Sequence, residues 1–387
     1  MRYLPLLLLL LAACRPDAAP DAVERDAAGN AVLPPVEEDY LPAAKKWGYV
    51  DRNGELAIPY RYDDAREFSE GLAVVRQGGL WGYIDREGRT VIAPRYKAAY
   101  SFRNGLARIT DMAGNWGYID PTGREVIPPG FANAFDFSAA GVARVETEEG
   151  MLLIDKAGTP VSAAYPRLGS IHAGVTTFKD ENGQYGLLRT DGTVLWPAAF
   201  SRIGRYRPDG LTRVRSGRSY GYADASGKLV LPATYAQARD FDEARAPVFA
   251  DGKWGMIDTK GTVILPPTYE ALDYAGDGRW LVTQGSLSGY LDADGNVVIP
   301  LQYAEAHPFS EARAAVQIDL RWGYIDPDGR LAVPPQFVLA WPYRDGTARA
   351  FFPRGVGFID KNGREILPAR FFEVRDFSEG LARVQEF

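Results

Sequence analysis

The sequence predicts an all-β chain of tandem repeats, three short antiparallel strands to a unit, stacked as an open β-solenoid or superhelix. Three observations carry this expectation: a period of 34 or 35 residues that recurs ten times, an Asp-x-x-Gly turn in almost every copy, and a proline a few residues later. A fixed period of this length is the mark of an array in which each unit buries its hydrophobic face on its neighbours.

The units begin at Trp47, Trp81, Trp116, Met151, Tyr185, Tyr220, Trp254, Ser288, Trp322 and Val356 and fill the chain to Phe387. Glycine follows the starting residue except at Leu152, and Asp stands four positions after the start (Asp51, Asp85, Asp120, Asp155, Asp224, Asp258, Asp292, Asp326, Asp360) except at Arg189. A second glycine, seven positions after the start, never fails, from Gly54 to Gly363.

Each element follows from these residues. The opening run, Trp-Gly-Tyr-Ile-Asp in the clearest copies, alternates large and small side chains as a strand does. Asp-x-x-Gly then makes the turn: Asp accepts from backbone N–H groups further on, and Gly supplies positive φ. The next run, such as Glu125-Val126-Ile127, is expected to stop at a proline (Pro59, Pro94, Pro128, Pro197, Pro232, Pro266, Pro300, Pro334, Pro368), which lacks a ladder donor. An aromatic follows, then a short turn or one helical turn, then a second aromatic such as Phe68, Phe102 or Phe377. The phrase Phe-Ser-Glu-Gly-Leu-Ala-x-Val at Phe68 and again at Phe377 supplies the third strand.

This motif set resembles the WG-repeat family of bacterial proteins over about residues 46–387. The resemblance implies an envelope-associated or secreted β-repeat protein and brings no agreed catalytic residues. A closed, propeller-like ring is the alternative architecture, because the final Gly380-Leu381-Ala382-Arg383-Val384 strand can pair with the first unit. Ten blades are many, so the open array is preferred.

The N-terminus has its own grammar. Arg2, an apolar run from Leu4 to Leu11, then Ala12 and Ala13 before Cys14 read as a cleavable signal over residues 1–13, too short to span a bilayer. Leu11-Ala12-Ala13-Cys14 resembles the lipobox of bacterial lipoproteins, which implies acylation of Cys14, palmitate among the acyl chains, and a membrane-bound protein. Cys14 is the only cysteine, so a disulfide is excluded and lipidation accounts for the odd thiol. Arg15 after it leans the resemblance toward the outer membrane. The stretch from Cys14 to residue 45, rich in Ala, Asp and Pro, reads as a flexible tether.

Chemistry is sparse. A net charge of −6 points neither to nucleic acid nor to an anionic surface. There are two histidines: His172 falls by count in the slot of the second core aromatic, and His307 precedes Pro308. The repeated aspartates are turn caps, and no phosphate loop, nucleophile elbow or zinc spacing occurs. No enzyme, cofactor or metal is expected.

Two features favour binding to a protein or an envelope polymer, with an accessory glycan-processing role in the envelope or a passive structural spacer as the alternatives. Trp196, Trp280 and Trp341 lie outside the repeat's Trp position and, with Tyr100, are candidate exposed platforms, with extra core as the alternative. Arg205, Arg207 and Arg213 stand in a stretch of six arginines against one acid, Asp209, a candidate basic strip or else a solvated strand edge.

Overall fold

In a computed structural model, which describes residues 45–386, the last strand, Leu381–Gln385, pairs antiparallel with the first, Trp47–Asp51, in unbroken register from Trp47↔Gln385 to Asp51↔Leu381. That pairing closes the array. Two strands from the C-terminal end and two from the N-terminal end form one four-stranded sheet, and nine further sheets follow in chain order. The protein is a ten-bladed β-propeller: the closed ring replaces the expected open solenoid. The physical reason is edge satisfaction. Splitting one blade between the two ends leaves each with an open ladder that the other end completes, where a solenoid would leave both exposed. The signal, Cys14 and most of the tether lie outside the described residues.

The blade differs from the unit read off the sequence. Blade one has four strands, Asp64–Ala65, Ala73–Gln77, Leu80–Ile84 and Thr90–Tyr96, so the Trp-Gly run is its third strand and the sequence unit starts mid-blade. The expected turn or helical turn is the two-residue first strand, held by Asp64↔Arg76 and Ala65↔Val75. Pro94 does not end its strand. It sits inside Thr90–Tyr96, where three residues of the third strand, Trp81 to Tyr83, face five of the fourth, Ile92 to Tyr96. Proline is accepted in this bulge because the fourth strand is the blade's edge.

The bulge also accounts for the Gly of Trp-Gly. A Cβ added at Gly82 would lie 2.5 Å from the Ile92 carbonyl oxygen, so only bare backbone lets the fourth strand cross there. Blade three confirms the rule by exception: Leu152 replaces the glycine, and that sheet has three strands, with residues 160 and 165 contributing isolated bridges alone. The Asp turns behave as expected. Asp85 Oδ1 accepts from the N–H groups of Glu87 and Arg89, and Gly88 adopts φ +78°.

The core lies between blades. Leu72, Val74 and Tyr83 of blade one pack on Ala99, Phe102 and Ala107 of blade two, and at the closure Tyr49 and Ile58 pack on Ala65, Phe68 and Val75. The Tyr of Trp-Gly-Tyr ties its own blade to the next: Tyr49, Tyr83, Tyr118, Tyr222, Tyr290 and Tyr324 each donate to a carbonyl 17 residues on, Tyr83 to Tyr100 at 2.9 Å.

Candidate functional site

One end of the ring carries, in each blade, the turn between the first and second strands, and around half of the ring these turns are bonded to one another. Ser69 Oγ donates to the Phe102 carbonyl at 2.8 Å, while the Glu70 carboxylate accepts from the N–H groups of Asn104 and Gly105. Ser378 and Glu379 make the same pair of bonds to Phe68 and Gly71 across the closure, and Ser310 and Glu311 make them to Tyr343 and Gly346. In blades ten, one and eight a hydroxyl and a carboxylate thus weld the turn to its neighbour.

The weld lapses where the sequence changes. The Ser-Glu pair stands in blades one, eight and ten; its positions hold other residues elsewhere, among them His172-Ala173 in blade four, Arg207-Pro208 in blade five and Asp242-Glu243 in blade six. Side chains alone bridge the rim there. Arg205 Nε donates to His172 Nε2 at 2.7 Å, Arg207 to Asp242 Oδ1 at 2.6 Å, and the Tyr274 hydroxyl to Glu243 at 2.6 Å. Between them opens a cleft of about 460 Å³, bordered by the turn Arg207-Pro208-Asp209-Gly210-Leu211, which is one residue longer than Ser69–Leu72 of blade one. Arg205 is exposed, and its hydrogen-bond partner is an imidazole nitrogen rather than a carboxylate, so its charge is open to an incoming acceptor. Arg207 Nε is buried without a hydrogen-bond partner.

Of the residues singled out from the sequence, Arg205 and Arg207 meet in this cleft. Arg213 faces away to the next blade, with its Nε 3.0 Å from Asp240 Oδ1 and another guanidinium nitrogen donating to the Ala238 carbonyl. The stretch is therefore no continuous basic strip, because two of its three named arginines are matched by acids of blade six. Trp196 and Trp280 are 1% and 0% exposed, which makes them core and removes them as platforms. Trp341 and Tyr100 are half-buried and stacked, Trp341 under Arg349 at 4.8 Å and Tyr100 under Arg108 at 3.8 Å. His172 is exposed and does not fill a core slot. A one-residue deletion earlier in its unit shifts the count, and the half-buried Ile171 takes the aromatic's place. His307 stacks on Trp322 with ring centroids 4.6 Å apart, and burial lowers its basicity.

Sequence reasoning missed a recurring arginine in the second strand. Arg108, Arg144, Arg213, Arg349 and Arg383 each reach the first strand of the next blade, at the carbonyls of Ala134, Leu168, Ala238, Val374 and Ala65. The signal was present in the phrase Leu-Ala-Arg-Val, whose third position was passed over as variable.

The family model for the WG containing repeat matches residues 47–81, 81–110, 116–149, 220–254, 254–285, 289–319, 322–351 and 357–386, leaving out the divergent blades three to five in part. No curated protein sequence matches the chain. Among solved structures, BamB from Moraxella catarrhalis aligns at 12% identity and TM-score 0.32, over 84% of this chain and 96% of that one. A eukaryotic initiation factor aligns at 11% identity and TM-score 0.43, over 83% and 95%. At these scores both likenesses are loose.

Proposed function

The chain belongs to the family of WG-containing repeat proteins, and from that premise we propose that it is a non-enzymatic binding ring, held at the bacterial outer membrane by acylated Cys14. Its ligand is an extended envelope polymer or protein segment taken into the cleft of blades four to six. The observation that carries this reading is the rim of blades four to six, where His172 and Arg207 take the Ser position, Arg205 stands exposed two residues before Arg207, and a cleft of about 460 Å³ opens beside them.

Physical chemistry supports binding over catalysis. Asp242, the carboxylate that bridges the cleft, lies 2.6 Å from an Arg207 guanidinium nitrogen, which commits it to an ion pair rather than to proton transfer. A rigid scaffold that carries a concave cleft of this size is how repeat rings present a binding face. The lipobox residues before Cys14 support the anchor, since two or more acyl chains hold a protein stably at a membrane.

The test is retention. The full-length chain is immobilised and exposed separately to envelope polysaccharide and envelope protein fractions, beside the double variant Arg205→Ala/Arg207→Ala. The reading expects one fraction to be held and the double variant to lose at least about tenfold of that affinity, about 1.4 kcal/mol. Equal retention by both chains, or none by either, overturns it and leaves the ring a passive spacer.

A further inference from the structure

We propose that a second cavity, beside the cleft and between blades five, six and seven, receives one neutral sugar unit of the bound polymer. The inference rests on the binding reading above and names its chemistry. The cavity, about 280 Å³, is lined by Arg213, Arg239, Asp240, Asp273, Tyr274 and Trp280 and shares Asp242 with the cleft. It stands at the small end of the roughly 300–1,000 Å³ range of small-molecule pockets, which suits a single ring rather than a chain.

Three properties of its wall select the ligand. Trp280 is 0% exposed, and its indole N–H has no hydrogen-bond partner, an orphan donor in the wall of a cavity. Buried donors are almost always satisfied, so one left open beside a cavity points to an acceptor that enters it. Arg213 Nε, Arg239 Nε and Asp240 Oδ1 are likewise buried; they lie in charge contact at 3.0 Å for Arg213–Asp240 and 2.9 Å for Arg239–Asp273, yet the angles leave no aligned hydrogen bond at these three atoms.

Charge decides between ligand classes. Asp240 is matched by Arg213, Asp273 by Arg239 and Asp242 by Arg207, so the wall is balanced and offers an anion or a cation no net attraction. It offers fixed donors and fixed acceptors side by side. A sugar hydroxyl both donates and accepts, and vicinal hydroxyls span a carboxylate and a guanidinium at once. The unit's bulk is also rearranged here: Ala275 stands where other blades place the second core aromatic, and Trp280 where they place Ala73 or its equivalents, which brings an indole to this wall.

The experiment uses the full-length chain labelled with 5-fluorotryptophan, whose eight resonances are read by fluorine NMR, the one from Trp280 being identified by its absence in Trp280→Phe. Glucose, galactose, mannose, N-acetylglucosamine and their β-linked disaccharides are titrated to tens of millimolar, with glucuronic acid as the charged control. The proposal expects at least one neutral sugar to shift the Trp280 resonance saturably. By calorimetry, Trp280→Phe, which keeps an aromatic ring of smaller volume and removes the N–H, weakens that sugar at least tenfold in a chain that circular dichroism shows to be folded. Should Trp280→Phe fail to fold, Arg239→Lys, which keeps the charge and loses the fork, is expected to give the same loss. A shift with glucuronic acid alone, no shift with any sugar, or undiminished binding in the folded variants overturns the proposal. If the Arg205/Arg207 variant still loses a retained fraction in that case, the cleft stands and only the sugar assignment falls; if retention is indifferent to those arginines, the cleft reading falls as well.

Discussion

Arg383 Nε lies 3.1 Å from Glu67 Oε1, and its guanidinium sits 4.7 Å over the ring of Trp47, so residues 316 positions apart form one contact between neighbouring blades. The same staple joins Arg108 to Asp136 at 2.7 Å and Arg349 to Asp376 at 2.6 Å inside the ring. The closure therefore uses the chemistry of every other stapled interface. Removing Arg383 leaves the Ala65 carbonyl and the Glu67 carboxylate short of a donor, and the Arg383 side chain is only 15% exposed. Arg383→Ala is expected to cost about 1–3 kcal/mol, measurable as a lowered denaturant midpoint and matched by Arg349→Ala. A loss at Arg349 with none at Arg383 would show that the ends do not close.

The Trp-Gly glycine carries a separate expectation. At Gly82 an added Cβ meets the Ile92 carbonyl at 2.5 Å and the Pro94 nitrogen at 2.7 Å, both backbone atoms that cannot step aside cheaply. Gly82→Ala is expected to destabilise by roughly 1–3 kcal/mol and to release the fourth strand of its blade, read as faster hydrogen exchange over residues 90–96. Unchanged exchange there would refute the account of why the motif contains glycine.

Stability against pH follows from two sets of groups. Burial raises the phenols of Tyr49, Tyr83, Tyr118, Tyr222, Tyr290 and Tyr324 far above their ordinary value of 10.0. A raised folded-state value means the unfolded chain loses its proton first, so stability is whole below pH 10 and falls as pH climbs past it. On the acid side the Thr122 hydroxyl, with Arg124, holds Asp120 at about 2, and the Ser226 hydroxyl lowers Asp224. These contributions are present above the ordinary carboxylate value of 3.8 and fade as pH drops below it. Denaturation midpoints are thus expected to be level from pH 5 to 9 and to fall beyond pH 10; a midpoint still level at pH 11.5 would contradict the buried phenols.

The rim weld is testable at Glu70, whose carboxylate accepts from two N–H groups of the next turn. Glu70→Ala is expected to speed hydrogen exchange at Asn104 and Gly105 with a stability change within about 1 kcal/mol, since the carboxylate is near water. Exchange that does not change would mean the turns are held by packing alone.

How much of this was legible beforehand can be judged residue by residue. The period, the Asp85-type caps and the strand pair around them were read correctly, because each depends on local backbone chemistry. Closure was not decided by the sequence, since the pairing of Leu381–Gln385 with Trp47–Asp51 joins segments with no local signal between them. Pro94 was misread because a proline's effect depends on whether its strand is an edge, which is a tertiary fact. Trp196 and Trp280, being off-motif, were open to two readings, exposed platform or extra core, and burial between blades makes them core. In the cleft, Arg205 and Arg207 were picked out by composition alone. Their carboxylate partner, Asp242, comes from the following blade, and counting within a unit does not show it.

The most direct measurement of the central claim is hydrogen exchange of the full-length chain with and without the envelope fraction it retains. Protection confined to the turns at residues 205–211 and 240–245, with the welded turns at 69–72 and 378–381 unchanged, is the predicted result. Protection spread evenly around the ring, or concentrated on the welded side, would contradict the assignment of the cleft as the binding site.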